Sequence, residues 1–154
     1  MSPRGVKDAY FAEFGWISPA GADGKPAVKV PDADTVWTPS SKTLAPGTPV
    51  TLSWDNGQGQ VFKRTYAIDG NFMFTVAQTV ENAGTAAVEL FPYGLVSRQG
   101  TPETSGFYIL HEGLLGVNNG ELKEVDYDDL QETKQETSTG TGGWIGITDK
   151  YWLT

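Results

Sequence analysis

The chain has 154 residues, with 19 Asp+Glu against 11 Lys+Arg for a net charge of -8, and it has no cysteine. That length suits one domain with a core of its own, and the charge repels phosphate backbones and anionic headgroups, which excludes nucleic-acid binding. The lack of cysteine excludes disulfides, thiolate metal sites and cysteine nucleophiles.

In chain order, the stretch from Pro19 to Pro49 holds six prolines. Proline lacks the ladder donor, so this stretch reads as a long ordered loop with a short strand near Thr35–Thr38. Val50–Trp54 reads as a strand. Gln60–Ile68 alternates, with Phe62, Tyr66 and Ile68 on one face and Arg64 interrupting it. Asp69-Gly70-Asn71 then turns the chain into a second alternating run, where Phe72, Phe74, Val76 and Val80 share a face. Two such runs about an Asp-Gly turn predict a hairpin. After Asn82-Ala83-Gly84 the alternation resumes at Val88 and Leu90, which predicts a three-stranded meander over about 60–91. Further strands are predicted at Phe107–Glu112, Leu114–Val117, Leu122–Tyr127 and Trp144–Thr148, and one helical turn at Asp128–Glu132. Many short strands with Gly- and Pro-rich turns predict an all-β sandwich or barrel. The longest apolar runs are a few residues, well short of the roughly 20 that span a bilayer, and the start has no basic-then-apolar leader pattern.

Few residues offer chemistry. His111 is the one histidine, and its neighbour Glu112 cannot partner it directly on a strand, where consecutive side chains face opposite ways. The acidic run from Glu121 to Glu136 lacks the D-x-[DN]-x-[DN]-G order of a calcium loop and reads as a solvated edge. One histidine and no cysteine leave no zinc site, and no nucleophile or phosphate-loop motif is present. Gly140-Thr141-Gly142-Gly143 reads as a connector. Catalytic residues, metals and cofactors are therefore expected to be absent. The tryptophans Trp16, Trp37, Trp54, Trp144 and Trp152, with Tyr10, Tyr93, Tyr108 and Tyr151, form core or floor a groove for sugars, extended peptides or a partner protein. Arg64 and Arg98 lie in apolar or turn surroundings, and a buried arginine needs a partner, usually a carboxylate within the fold.

Five stretches carry a family resemblance. They are Ser2-Pro3-Arg4-Gly5 with Tyr10-Phe11-Ala12-Glu13-Phe14-Gly15-Trp16; Leu52-Ser53-Trp54-Asp55-Asn56-Gly57-Gln58-Gly59 leading into Phe62-Lys63-Arg64; Pro92-Tyr93-Gly94-Leu95-Val96-Ser97-Arg98; Gly100-Thr101-Pro102 followed by His111-Glu112-Gly113; and the closing run Gly142 to Trp152. In this order they resemble the large periplasmic domain of alphaproteobacterial YidC membrane protein insertases. Agreement is weakest in the Pro-rich stretch and near 131–142.

The resemblance implies an antiparallel β-supersandwich, similar to the galactose mutarotase fold, with long Pro/Gly-rich loops and little helix. It implies that 1–154 is a single periplasmic domain, a fragment without the N-terminal strands and the following transmembrane part of longer members. The implied role is accessory and non-catalytic, at the periplasmic face of the bacterial inner membrane. The implied partners are the translocon accessory proteins SecD and SecF and nascent membrane proteins, with membrane contact only through segments outside this chain. Trp144, Tyr151 and Trp152 join Arg64, Arg98 and His111 as expected binding residues, because they lie nearest the membrane segment of longer members. The alternative is a carbohydrate-binding or mutarotase-like domain. Epimerisation needs a carboxylate base and histidine acids, so a carboxylate facing His111 in a cleft would favour it.

Overall fold

Period-two alternation becomes strand nearly wherever it occurs in the computed structural model, which describes residues 4–22, 24–101, 111–149 and 152–154. In chain order the elements are β1 (Tyr10–Ile17), β2 (Thr38–Pro39), β3 (Val50–Asp55), β4 (Gln60–Ile68), β5 (Phe74–Asn82), β6 (Phe91–Arg98), β7 (Gly113–Asn118), β8 (Glu121–Asp126), α1 (Tyr127–Thr133), β9 (Gly143–Asp149) and β10 (Trp152–Leu153). They form three antiparallel sheets, β1-β6, β2-β3-β4-β5 and β10-β9-β7-β8. The chain divides into two compact units, Phe14–Gly94 and the described residues on either side of it.

The core of the Phe14–Gly94 unit is aromatic. Phe62 on β4 is fully buried, with Trp16 edge-on at 5.2 Å and Trp54, its cross-strand neighbour on β3, at 5.7 Å. Val28 joins them from the Pro-rich loop, whose hairpin is closed by Gly21 N–H to Lys25 O and Ala27 N–H to Pro19 O. The loop is therefore ordered as expected, and proline-rich backbone fills core without needing ladder bonds. Its strand is shifted to Thr38–Pro39, because Asp32 and Thr35 bond each other in a turn that takes Thr35 out of extended pairing.

The expected meander is corrected. Its third strand is β3, paired on the far side of β4, and the 83–90 segment carries no strand. Asn82 holds that segment as a loop, accepting from Gly84 N–H and donating to Ala86 O. Val88 and Leu90 alternate because they pack on the core from the loop, not because they pair. The β4–β5 turn is also longer than expected. Asp69 Oδ1 accepts from the N–H groups of Asn71 and Met73, and Phe72 sits outside the strand at φ 64°. In β7–β8, by contrast, Asn119 and Gly120 both take positive φ (51° and 88°), the two-residue hairpin turn that matches strand twist.

Helix α1 begins at Tyr127, one residue inside the strand expected there, and runs past Glu132 to Thr133. Asp128 and Asp129 complement its N-terminal dipole, and Lys134 in the left-handed region ends it, its N–H bonding Leu130 O. Of the strand expected at Phe107–Glu112, residues 107–110 lie outside the described residues, and His111 and Glu112 are not in a strand.

In β1-β6, glycine and aromatic alternate across the pair. A Cβ on Gly15 would stand 2.6 Å from the Tyr93 ring, and one on Gly94 would stand 3.4 Å from Phe14. Each glycine makes room for the ring of the other strand. Gly15→Ala is therefore expected to lower the urea midpoint by the equivalent of about 1–3 kcal/mol, the cost of overpacking. Gly70→Ala, with nothing within 4 Å, should leave the midpoint near wild type.

Candidate functional site

Arg64 interrupts the alternation of β4 for a structural reason. Its guanidinium lies 5.6 Å from the Trp16 ring centroid and 5.0 Å from that of Trp37, and it donates to Phe14 O. Across β5, Gln78, which pairs with Arg64, donates to Gly15 O at 2.7 Å. Two neighbouring carbonyls of β1 are thus held by side chains of the adjoining sheet. The partner is two aromatic faces and a carbonyl, not the expected carboxylate. Cation–π contacts of this kind contribute about 0.5–2 kcal/mol each without a buried ion pair.

Arg98, at the end of β6, does have a carboxylate partner. It bonds Asp149 on β9, and its guanidinium lies 5.1 Å from the Tyr10 ring. The other Asp149 oxygen accepts from the Tyr127 hydroxyl at 3.2 Å, and Tyr10 donates to Thr154 Oγ1 at 2.7 Å. Five side chains, from three strands, one helix and the closing residue, are joined here.

Burial, then the Asp149 charge, pushes the Tyr127 phenol up from 10.0 to about 12, against an opposing pull from Arg98. The folded state therefore holds the neutral phenol more tightly than the unfolded state does. This contribution to stability is full below the unfolded value of 10.0 and is lost as pH rises toward about 12. Spectrophotometric titration should show one phenol ionising near 12 that Tyr127→Phe removes. Between those two pH values the wild-type urea midpoint should fall more than that of Tyr127→Phe.

His111 does face an acidic residue. Its Nδ1 is 3.1 Å from Asp126 Oδ1, and its Nε2 is 2.9 Å from Leu114 O. Both ring nitrogens face oxygens of the fold, one at the end of β8 and one on β7, so the ring sits against the base of that hairpin with neither nitrogen turned toward a substrate. No group of three or more His, Cys, Asp or Glu among the described residues is placed to hold a metal. Trp144 on β9 is 47 % exposed and shares a cross-strand row with Val117 and the exposed Leu122. Tyr151 lies outside the described residues; Trp152 opens β10, paired with Asp149.

The structure thus groups Arg98 with the closing strands and places Arg64 in the core of the Phe14–Gly94 unit. Sequence reasoning missed Asp149, Tyr127 and Gln78, whose partners are far along the chain. It also missed a network of amides beside the β3–β4 turn. There the buried Asn56 donates to Gln60 Oε1 (2.9 Å) and Lys29 O (3.0 Å), while Gln60 donates to Asn82 Oδ1 (3.0 Å). The run Asp55-Asn56-Gly57-Gln58-Gly59-Gln60 was the available signal: a cluster of amides with glycines next to a core aromatic.

The comparisons with known proteins agree with one another. The family model for the YidC periplasmic domain matches residues 1–154. The chain is 51 % identical to the membrane protein insertase YidC of Methylobacterium radiotolerans over 99 % of this chain and 25 % of that protein. It is 47 % identical to that of Bradyrhizobium diazoefficiens over 98 % of this chain and 24 % of the relative, and 48 % identical to that of Paracoccus denitrificans over 97 % and 24 %. No solved structure matches. The chain spans about a quarter of the length of these relatives. A match through every residue, with half the positions identical to those insertases, makes the chain a member of the YidC periplasmic domain family.

Proposed function

We propose that this chain is an accessory, non-catalytic module of a YidC-type membrane protein insertase, working at the periplasmic face of the inner membrane. In this reading residues 1–154 are a single domain of the β-supersandwich type, similar in fold to galactose mutarotases. It contacts the translocon accessory proteins SecD and SecF and segments of nascent membrane proteins. The observation that carries the reading is the family match along the whole chain. Three antiparallel sheets with one short helix suit the fold. The half-exposed Trp144 row and the Arg98–Asp149 cluster suit a role for the closing strands as a connector toward the membrane.

The alternative, a sugar-binding or mutarotase-like domain, draws on the His111–Asp126 pair. Its weakness is that the second nitrogen of His111 already bonds Leu114 O, and epimerisation needs more than one free acid–base group.

A photo-crosslinking amino acid in place of Trp144, and separately in place of Phe91, tests the reading in the full-length insertase in native membranes. The expected result is adducts with SecD, SecF or nascent membrane proteins from at least one position. Adducts with none of them from either position, together with heat released on titrating the domain with galactose, would replace it by the carbohydrate reading.

A further inference from the structure

The ladder between β4 and β5 has a fixed phase. Hydrogen bonds close it at both ends, Asp69 N–H to Met73 O at 3.1 Å and Ala83 N–H to Gly59 O at 2.8 Å. Antiparallel partners alternate between bonded and non-bonded pairs. With the observed register, Thr75, Ala77, Thr79 and Glu81 turn their backbone groups toward β4. Those of Phe74, Val76, Gln78 and Val80 point the other way. Among the described residues β5 pairs with β4 alone, so this is a long edge with outward-facing donors and acceptors.

Three other sheet edges among the described residues are guarded. β2 is two residues long and ends on Pro39, β6 carries Pro92, and β8 carries Glu121, Lys123, Glu124 and Asp126. Short length, proline and charge are the usual means of preventing strand addition. β5 has none of them over Phe74–Val80, and Glu81 at its end is paired with Lys63 of its own sheet. Phe74, Val76 and Val80 lie opposite Ile68, Tyr66 and Phe62, on the face that bears the aromatic core. Beside Val80 that face opens into a depression of about 460 Å³ lined also by Trp16, Val88, Leu90 and Pro92. Exposed Glu81 and Glu89 stand at the end of β5 and in the lining segment.

We propose that the outer edge of β5 is a docking edge for an extended polypeptide segment, apolar at alternate positions and flanked by Lys or Arg. The segment adds a fifth strand to the four-stranded sheet and seats one or two apolar side chains against Trp16, Val88 and Leu90. Backbone bonds supply affinity that tolerates many sequences, and alternate side chains supply selectivity. The charge of -8 and the exposed Glu89 favour basic flanks, and the same charge opposes a second copy of this chain in the site. The inference rests on the accessory reading above only for the source of the segment, a nascent membrane protein.

The test is fluorescence anisotropy of a labelled peptide of alternating Val and Thr with lysines at both ends, titrated with the whole chain. The expected result is saturable binding that weakens by at least about tenfold when alternate peptide amides are N-methylated, the loss of a few backbone bonds. Val76→Pro removes an outward N–H without touching a bond to β4 and should weaken binding similarly, while Val76→Thr should bind like wild type. Lack of binding, or equal binding of the methylated peptide, overturns the proposal whatever the fate of the variants. A dimer seen by sedimentation that the peptide dissociates would instead assign the edge to a second copy and overturn it too. Crosslinks to SecD or SecF are untouched by any of these results, so the docking edge and the accessory role fail separately.

Discussion

The edge-on contact of Trp16 with Phe62 is the interaction on which the Phe14–Gly94 unit depends. Such a pair contributes about 0.5–1.5 kcal/mol beyond the area it buries, but its larger effect is positional. Trp16 also lies under the Arg64 guanidinium and walls the depression beside β5. Its strand is held by two side-chain donors, from Arg64 and Gln78, to the carbonyls just before it. Core, cation and groove therefore share one indole, and displacing it disturbs all three.

Amides do at the rim what that indole does at the floor. Asn56, Gln60 and Asn82 tie the β3–β4 turn to the end of β5, and Asn82 shapes the loop that delivers Val88 and Leu90 to the core. A buried network of this kind is worth having only when its members are satisfied, and each of these three amides has partners. In the other unit the Arg98–Asp149 pair plays the comparable part. It fixes the last strands through charge and hydrogen bonds where few of the described apolar side chains are buried.

Much of the sheet structure was legible in the sequence, because β4, β5 and β7–β9 each alternate and end in turn residues. The reading failed where alternation had another cause. Val88 and Leu90 alternate in a loop, and β1 hides its strand character behind an almost continuous apolar and aromatic run with a glycine in it. The site was less legible than the fold. That Arg98 would need a carboxylate followed from its type, but which one, 51 residues away, did not. The partner of Arg64 was invisible for a different reason: a backbone carbonyl leaves no trace in the residue alphabet, and tryptophans are read first as core. His111 showed the converse, since a carboxylate did face it, yet the backbone oxygen on its other side removed the chemistry that the pair suggested.

The reciprocal fit of Gly15 with Tyr93 and of Gly94 with Phe14 has a consequence for how this strand pair changes over generations. Neither glycine is held in place by backbone geometry, as neither has a positive φ; each is held only by the ring opposite. A side chain gained on one strand calls for bulk lost from the other, so the two positions of each pair are sterically coupled. Each route between two acceptable combinations passes through a clash or a hole, and the pattern of glycine facing aromatic is locked in by that barrier.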